Sequence, residues 1–236
     1  MTDAVQDDDA IEVVGPPPTA VVFDVGEVLI DETRVWATWA DLVGVSGLTF
    51  GAVLGAAVVQ GEDWPAVFEH VAPNVVWQEL EEEHERRYGG FREEDLYADV
   101  RPALGELREA GFVVAIAGNQ PARRQAQLEA LALPTDHLAM SELLGAEKPS
   151  EAFYTAVLDL LGVDDPARVL YVGDRVDNDV LPAAAFGMRT CWLRRGPWGQ
   201  LHDLPEETDA DLVLDGLGEL PLLLVQWRQE HEEASA

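Results

Sequence analysis

The sequence predicts an α/β fold: a parallel sheet with helices on both faces, interrupted by an inserted all-helical unit. Three observations predict it. Short β-branched apolar runs recur along the chain, and helical stretches of about 10–15 residues alternate with them. Aspartate or Gly-Asn follows directly on several of those runs, where open parallel sheets bind ligands. Between the first run and the second, residues 33–97 carry apolar positions at helical spacing and no strand run.

The first strand is Ala20-Val21-Val22-Phe23, ending in Asp24. The second runs from Phe112 to Ala117, after a helix marked by Pro102 near its start and Gly111 at its end. Pro121 opens a helix through about Leu131. Ser150 is a good N-cap for a helix through Leu161, closed by Gly162. Val169-Leu170-Tyr171-Val172 is the third strand and leads into Gly173-Asp174. A helix follows Asp179 and closes at Gly187. Thr190 to Leu193 is a fourth strand, and Asp211 to Leu214 a candidate fifth. In the inserted stretch Trp36, Trp39, Leu42, Phe50, Val53, Leu54, Val75, Val76, Trp77 and Leu80 predict four or five helices. The charged run Glu79–Arg87 reads as a solvated helix face. The expected organisation is an acidic, proline-rich tail over 1–18, the α/β part over 19–31 and 98–225, the helical unit over 32–97, and a polar, frayed tail over 226–236.

Composition narrows the function. The chain has 236 residues, 47% of them hydrophobic, which is ample for a buried core. It has no run of about 18 apolar residues and no basic start followed by an apolar stretch. No membrane association and a cytoplasmic location are expected. The formal net charge of −30 repels nucleic acid and anionic lipid. An anionic substrate would need a local positive centre. Cys191 is the single cysteine, and the five histidines have no metal-ligand spacing. The sequence sets no oligomeric state.

Three segments carry candidate chemistry. Asp24, at the end of a buried strand, can act as a nucleophile if cations hold an anionic substrate against it. Alternatively it caps a turn. Asp174, Asp177 and Asp179 crowd three carboxylates into six residues, which suits magnesium but also suits an acidic turn before a helix. Lys148 is the one lysine beside fourteen arginines, placed before Pro149. A compact ammonium differs from arginine's planar fork, and one that reaches both a nucleophile and a phosphoryl oxygen would explain the choice. A surface position is the bland alternative.

In order, these segments resemble the haloacid dehalogenase-like superfamily. The first motif is Val21-Val22-Phe23-Asp24-Val25-Gly26-Glu27-Val28-Leu29, the second Val113-Val114-Ala115-Ile116-Ala117-Gly118-Asn119, the third Lys148-Pro149, and the fourth Gly173-Asp174 with Asp179. Gly187-Met188 also fits. The resemblance implies a Rossmann-like core over residues 20–30 and 98–220, with the inserted helices as a helical cap. It implies a Mg²⁺-dependent phosphatase acting on a small phosphorylated metabolite. Asp24 would form an aspartyl-phosphate. Mg²⁺ would be held by Asp24, the Gly26 carbonyl and Asp174, with Asp179 as a ligand or as the partner of one. Lys148 would offset charge between nucleophile and phosphoryl group.

Two positions depart from the family pattern. Gly26 stands where a second aspartate usually serves as general acid and base, which leaves leaving-group protonation without its usual donor. Glu27 is the neighbouring candidate for that role. Gly118 stands where a hydroxyl usually contacts the phosphoryl group. The Asn119 side chain or backbone N–H groups are the candidate replacements. Two other readings keep the fold: a ligand-binding or regulatory protein with weakened chemistry, and a metal-independent haloacid dehalogenase. The latter fits the Asp174/Asp179 pair poorly. Gly44-Val45-Ser46-Gly47-Leu48 misses the nucleophile-elbow pattern, and no P-loop or dinucleotide fingerprint occurs.

Overall fold

A computed structural model describes residues 15–205 and 210–235. Six strands form one sheet: β1 Ala20–Phe23, β2 Val113–Gly118, β3 His137–Met140, β4 Val169–Gly173, β5 Arg189–Leu193 and β6 Leu212–Leu214. All neighbours are parallel, in the order β3-β2-β1-β4-β5-β6. The chain lays β1, β2 and β3 toward one edge, then returns to put β4 on the other side of β1. The crevice at the carboxyl ends of β1, β2 and β4 is thus the point where the winding reverses, the usual ligand position in such sheets.

Alternation along the strands sends side chains to two cores. Val21, Phe23, Val114, Ile116, Leu170 and Val172 pack on one face, with Leu104 and Leu107 of helix Val100–Glu109 and Leu224 and Trp227 of helix Leu220–Ala234. Ala20, Val22, Ala115, Ala117 and Tyr171 pack on the other, with Phe153, Tyr154 and Val157 of helix Glu151–Leu161. The β1 register places Phe23 opposite both Ile116 and Val172, so the residues after these strand ends emerge side by side.

Three sequence expectations change. β3 is a sixth strand not signalled by an apolar run, because it is a four-residue edge strand with two partly exposed members. The segment from Gln226 is not a frayed tail. It continues helix Leu220–Ala234, where Leu220, Leu224 and Trp227 form one buried stripe at helical spacing. Of the expected tail over 1–18, residues 1–14 lie outside the described residues. Pro17 and Pro18 are buried, and Trp227 Nε1 donates to the Gly15 carbonyl at 3.2 Å.

Between β1 and β2 lie helices Thr33–Val43, Gly47–Val59, Ala66–Val71 and Glu81–Tyr88 and a 3₁₀ turn, Trp77–Leu80. Their shared core is Trp39, Ala40, Phe50, Leu54, Val58, Val67 and Phe68, completed by Trp198 from the segment after β5. His84 stacks on Trp39 with ring centroids 4.1 Å apart and bonds the Val35 carbonyl. Within the unit Arg34 pairs with Asp95 and donates to the carbonyls of Tyr88 and Gly90, and Glu85 ties the unit to the rest of the chain through a two-point pair with Arg124. Among the described residues no single helix is long and apolar enough to cross a membrane.

Candidate active site

A cleft of about 650 Å³ opens at the carboxyl ends of β1, β2 and β4, beneath the helical unit. Asp24 sits at its floor. The Asp24 N–H donates to the Val172 carbonyl at 2.9 Å, which anchors the residue to β4. Its Oδ1 lies 2.8 Å from Lys148 Nζ, and the same ammonium lies 2.6 Å from Asp179 Oδ1. Only 1% of the Lys148 side chain is exposed. Burial alone would pull its ammonium pKa down, but the charges of Asp179 and Asp24 outweigh that and hold it well above the usual lysine range. The one lysine is therefore a fixed buried cation rather than a surface residue.

Asp24, Asp174 and Asp179 each offer an oxygen within 4.8 Å of the others. Burial, and then the charges of Asp179 and Asp24, push Asp174 well above the ordinary carboxylate range. Asp179 is pushed up to about 6, again by burial first, against the opposing pull of Lys148. Three converging carboxylates with one ammonium leave excess negative charge in a buried place. An all-oxygen donor set of this kind suits a hard divalent cation. Among the described residues no protein group donates to the Asp174 carboxylate or to the Gly26 carbonyl. Asp179 differs, because Lys148 takes one of its oxygens and the Arg175 N–H donates to the other at 3.0 Å. It therefore suits the role of partner to a ligand better than that of ligand. Asp177 pairs with Arg175 at 2.7 Å and stays outside the cluster.

The two departures from the motif pattern have structural counterparts. A Cβ at Gly118 would lie 2.2 Å from Asp24 Oδ1, so no larger residue fits with Asp24 turned toward Lys148. Asn119 does not present its side chain to the cleft as a donor. Its Oδ1 accepts the Lys148 N–H at 2.8 Å and its Nδ2 donates to the Lys148 carbonyl at 2.9 Å. Its amide holds the backbone of the lysine instead. The backbone N–H groups of Val25, Gly26 and Asn119 have no acceptor among the described residues, which leaves them available as donors at this end of the sheet.

Glu27 is buried with φ 53, a left-handed conformation. Its Oε2 accepts the Tyr97 hydroxyl at 2.5 Å and its Oε1 accepts the Glu32 N–H at 3.3 Å. Gly196, itself at φ 65, lies against its side chain, where a Cβ would come within 2.4 Å of Glu27 Cγ. Burial raises the Glu27 pKa, with Asp31 adding to the shift and Tyr97 opposing it. Glu32, Trp64 and Trp198, which the sequence does not single out, and Trp36, which it marks only as a helix position, also line the cleft. Burial first, and then the charges of Glu27 and Asp24, push Glu32 up to about 8. Only the fold-back of the chain, a bridge between Gly26 and Ile30, brings Glu32 to the cleft beside Asp24, and no local pattern signals it.

The model of the haloacid dehalogenase-like hydrolases matches residues 18–187, which include Asp24, Lys148, Asp174 and Asp179. The chain belongs to the haloacid dehalogenase-like hydrolase family. Among relatives, it is 33% identical over 128 residues to a glyceraldehyde 3-phosphate phosphatase of Methanopyrus kandleri, covering 52% of this chain and 54% of that protein. It is 33% identical over 135 residues to a phosphoglycolate phosphatase of Haemophilus influenzae, covering 55% and 57%. The chain thus spans about half the length of the curated relatives it matches. Among solved structures, a HAD-hydrolase of Bacillus subtilis bound to magnesium superposes with a TM-score of 0.70 at 18% identity, over 89% of this chain and 99% of that one. An L-2-haloacid dehalogenase of Xanthobacter autotrophicus superposes with a TM-score of 0.63 at 22% identity, over 88% and 98%. At these identities the likeness is one of fold.

Proposed function

We propose that this chain is a Mg²⁺-dependent phosphatase that acts on a small phosphorylated metabolite through an aspartyl-phosphate on Asp24. One observation carries the reading: a buried ammonium, Lys148, bridges Asp24 and Asp179 inside a three-carboxylate cluster at the winding reversal of the sheet. The phosphatase names of the relatives support it.

Asp24 attacks phosphorus, and Lys148 offsets the charge that builds between nucleophile and phosphoryl oxygens. The free N–H groups of Val25, Gly26 and Asn119 point the way for the phosphoryl oxygens in place of a side-chain hydroxyl. Asp24, Asp174 and the Gly26 carbonyl would hold Mg²⁺, with Asp179 fixing Lys148 beside them. When bound, the ion supplies charge neutralisation for the nucleophile and the phosphoryl group. Trp36, Trp64 and Trp198 wall the cleft and limit water around the reacting groups. The Asp174/Asp179 pair fits a carbon–halogen hydrolase that works without metal poorly.

A screen of phosphorylated metabolites with and without Mg²⁺, with Asp24→Asn beside the wild type and 2-chloropropionate as a further substrate, tests the reading. Phosphate release that needs both Mg²⁺ and Asp24 is expected. Halide release without metal overturns it, as does ligand binding with no turnover on any substrate.

A further inference from the structure

Position 26 has no side chain, but the space next to it is filled. A Cβ built on Gly26 would lie 2.6 Å from Glu32 Oε1 and 2.9 Å from Glu32 Cδ. The carboxyl of Glu32 therefore stands where a side chain at position 26 would begin, on the cleft that Asp24, Lys148 and Asp174 share. Its backbone is fixed from two sides. Its N–H donates to Glu27 Oε1 at 3.3 Å, and its carbonyl accepts the Trp36 N–H at 3.1 Å in the first turn of helix Thr33–Val43. Among the described residues no protein group donates to the Glu32 carboxyl, so it is free to meet a ligand.

Outside the cluster of Asp24, Asp174 and Asp179, which the proposed function gives to the metal and to Lys148, the other carboxylates on the cleft are differently placed. Glu27 uses both oxygens, on Tyr97 and on the Glu32 N–H. Asp63 and Asp177 face Arg175, at 3.6 and 2.7 Å, and Glu147 is exposed.

We infer that Glu32 is the proton-transferring group of this active site, supplying across space the carboxyl that Gly26 lacks, and that Glu27 is the residue that positions it. The inference rests on the phosphatase reading above, and on where the carboxyl sits. In the first step Asp24 forms a bond to phosphorus. The bond from phosphorus to the leaving oxygen breaks, its electron pair stays on that oxygen, and Glu32 gives the oxygen its proton. In the second step a water oxygen attacks phosphorus and yields a proton to the Glu32 carboxylate. The bond from phosphorus to Asp24 breaks and returns its pair to the Asp24 carboxylate. The sum is ester plus water to alcohol plus phosphate, with both side chains restored.

The test compares wild type, Glu32→Gln, Glu27→Gln and the relocation variant Gly26→Asp/Glu32→Ala. Gly26 is not in the left-handed region, so the aspartate meets no backbone penalty once Glu32 is shortened. Substrates are alkyl monophosphates, 4-nitrophenyl phosphate and acetyl phosphate, with Mg²⁺. Glu32→Gln is expected to lose about 10²–10⁴ in turnover on alkyl phosphates. It should lose less on the two good leaving groups in the phosphorylating step. With acetyl phosphate it should then accumulate protein heavier by one phosphoryl group, because hydrolysis of the intermediate lacks its base. Glu27→Gln should show the same pattern, more weakly. The relocation variant should recover alkyl phosphate turnover.

An unchanged leaving-group dependence in Glu32→Gln, or an equal loss on every substrate with no phosphorylated protein, overturns the assignment. If Glu32→Gln does not fold, the relocation variant decides, and no turnover there overturns it. A wild type that neither turns over nor takes up a phosphoryl group overturns the phosphatase reading itself. An active wild type that depends on Asp24 but not on Glu32 overturns only the assignment made here.

Discussion

The Asn119 side chain closes a two-point clamp on the backbone of Lys148, accepting its N–H at 2.8 Å and donating to its carbonyl at 2.9 Å. Asn119 belongs to the end of β2 and Lys148 to the turn before helix Glu151–Leu161, so the clamp fixes the ammonium against Asp24 across 29 positions of sequence. Asn119→Ala leaves every charged group in place and releases only the geometry. Turnover should fall by about tenfold or more, since a misplacement on the order of 1 Å can cost about 10²-fold. Steady-state kinetics should show the loss mainly in kcat.

Lys148→Met removes the cation from between two acids. Turnover should drop by about 10²–10³, the scale of losing one preorganised charge-stabilising donor. Breaking a buried pair by removing one partner also costs about 3–5 kcal/mol. Urea unfolding should therefore report a less stable protein as well as a slower one. A variant with wild-type turnover and stability would return Lys148 to a bystander.

Asp174→Asn tests the cation. The one hydrogen bond that Asp174 receives, from Trp192 Nε1, goes to its backbone carbonyl; among the described residues none goes to its carboxylate, which therefore has no structural duty that the amide would betray. Calorimetry of Mg²⁺ binding should show a site in the wild type that weakens sharply in the variant, while thermal stability without metal holds or rises, because a carboxyl group pushed well above its usual range is lost. Equal Mg²⁺ affinity in both proteins would remove Asp174 from the ligand set.

His84 gives the helical unit an acid sensitivity. Burial against Trp39 lowers its pKa from 6.5, and the hydrogen bond to the Val35 carbonyl opposes this only in part. The unfolded chain then binds more protons than the folded one as pH drops below about 6.5. The stability that His84 contributes is full above that pH and is lost as pH falls toward the folded value. Between pH 7 and 5 the melting temperature of the wild type should fall more than that of His84→Phe. Parallel pH curves for the two would show that His84 does not couple protonation to folding.

The legible part of this molecule was the part written in contiguous runs. β1, β2, β4 and β5 are buried apolar segments, and Asp24, Gly118 and Asp174 follow from where those segments end. β3 escaped because an edge strand of four residues needs few apolar positions, and His137 and Leu138 are only half-buried. Trp227 was hidden in a polar stretch, where a single aromatic side chain anchors the last turns of the helix. The role of Asn119 depends on a partner 29 residues away, and that of Glu32 on a tight fold-back between Gly26 and Ile30. Neither distance can be read from composition or periodicity, since both are produced by tertiary packing.

Trp198 lies on a short helix after β5, yet its ring stands 6.1 Å from Trp36 inside the aromatic core of the inserted helices. The insertion is therefore not a detachable cassette. Grafted onto another sheet of the same topology, it would arrive with a gap in its interior the size of an indole, and the donor protein would be left with that indole facing water. Any lineage that trades one such insertion for another has to rewrite the segment after β5 as well, so selection on what the cleft accepts is felt more than 150 positions downstream of Trp36.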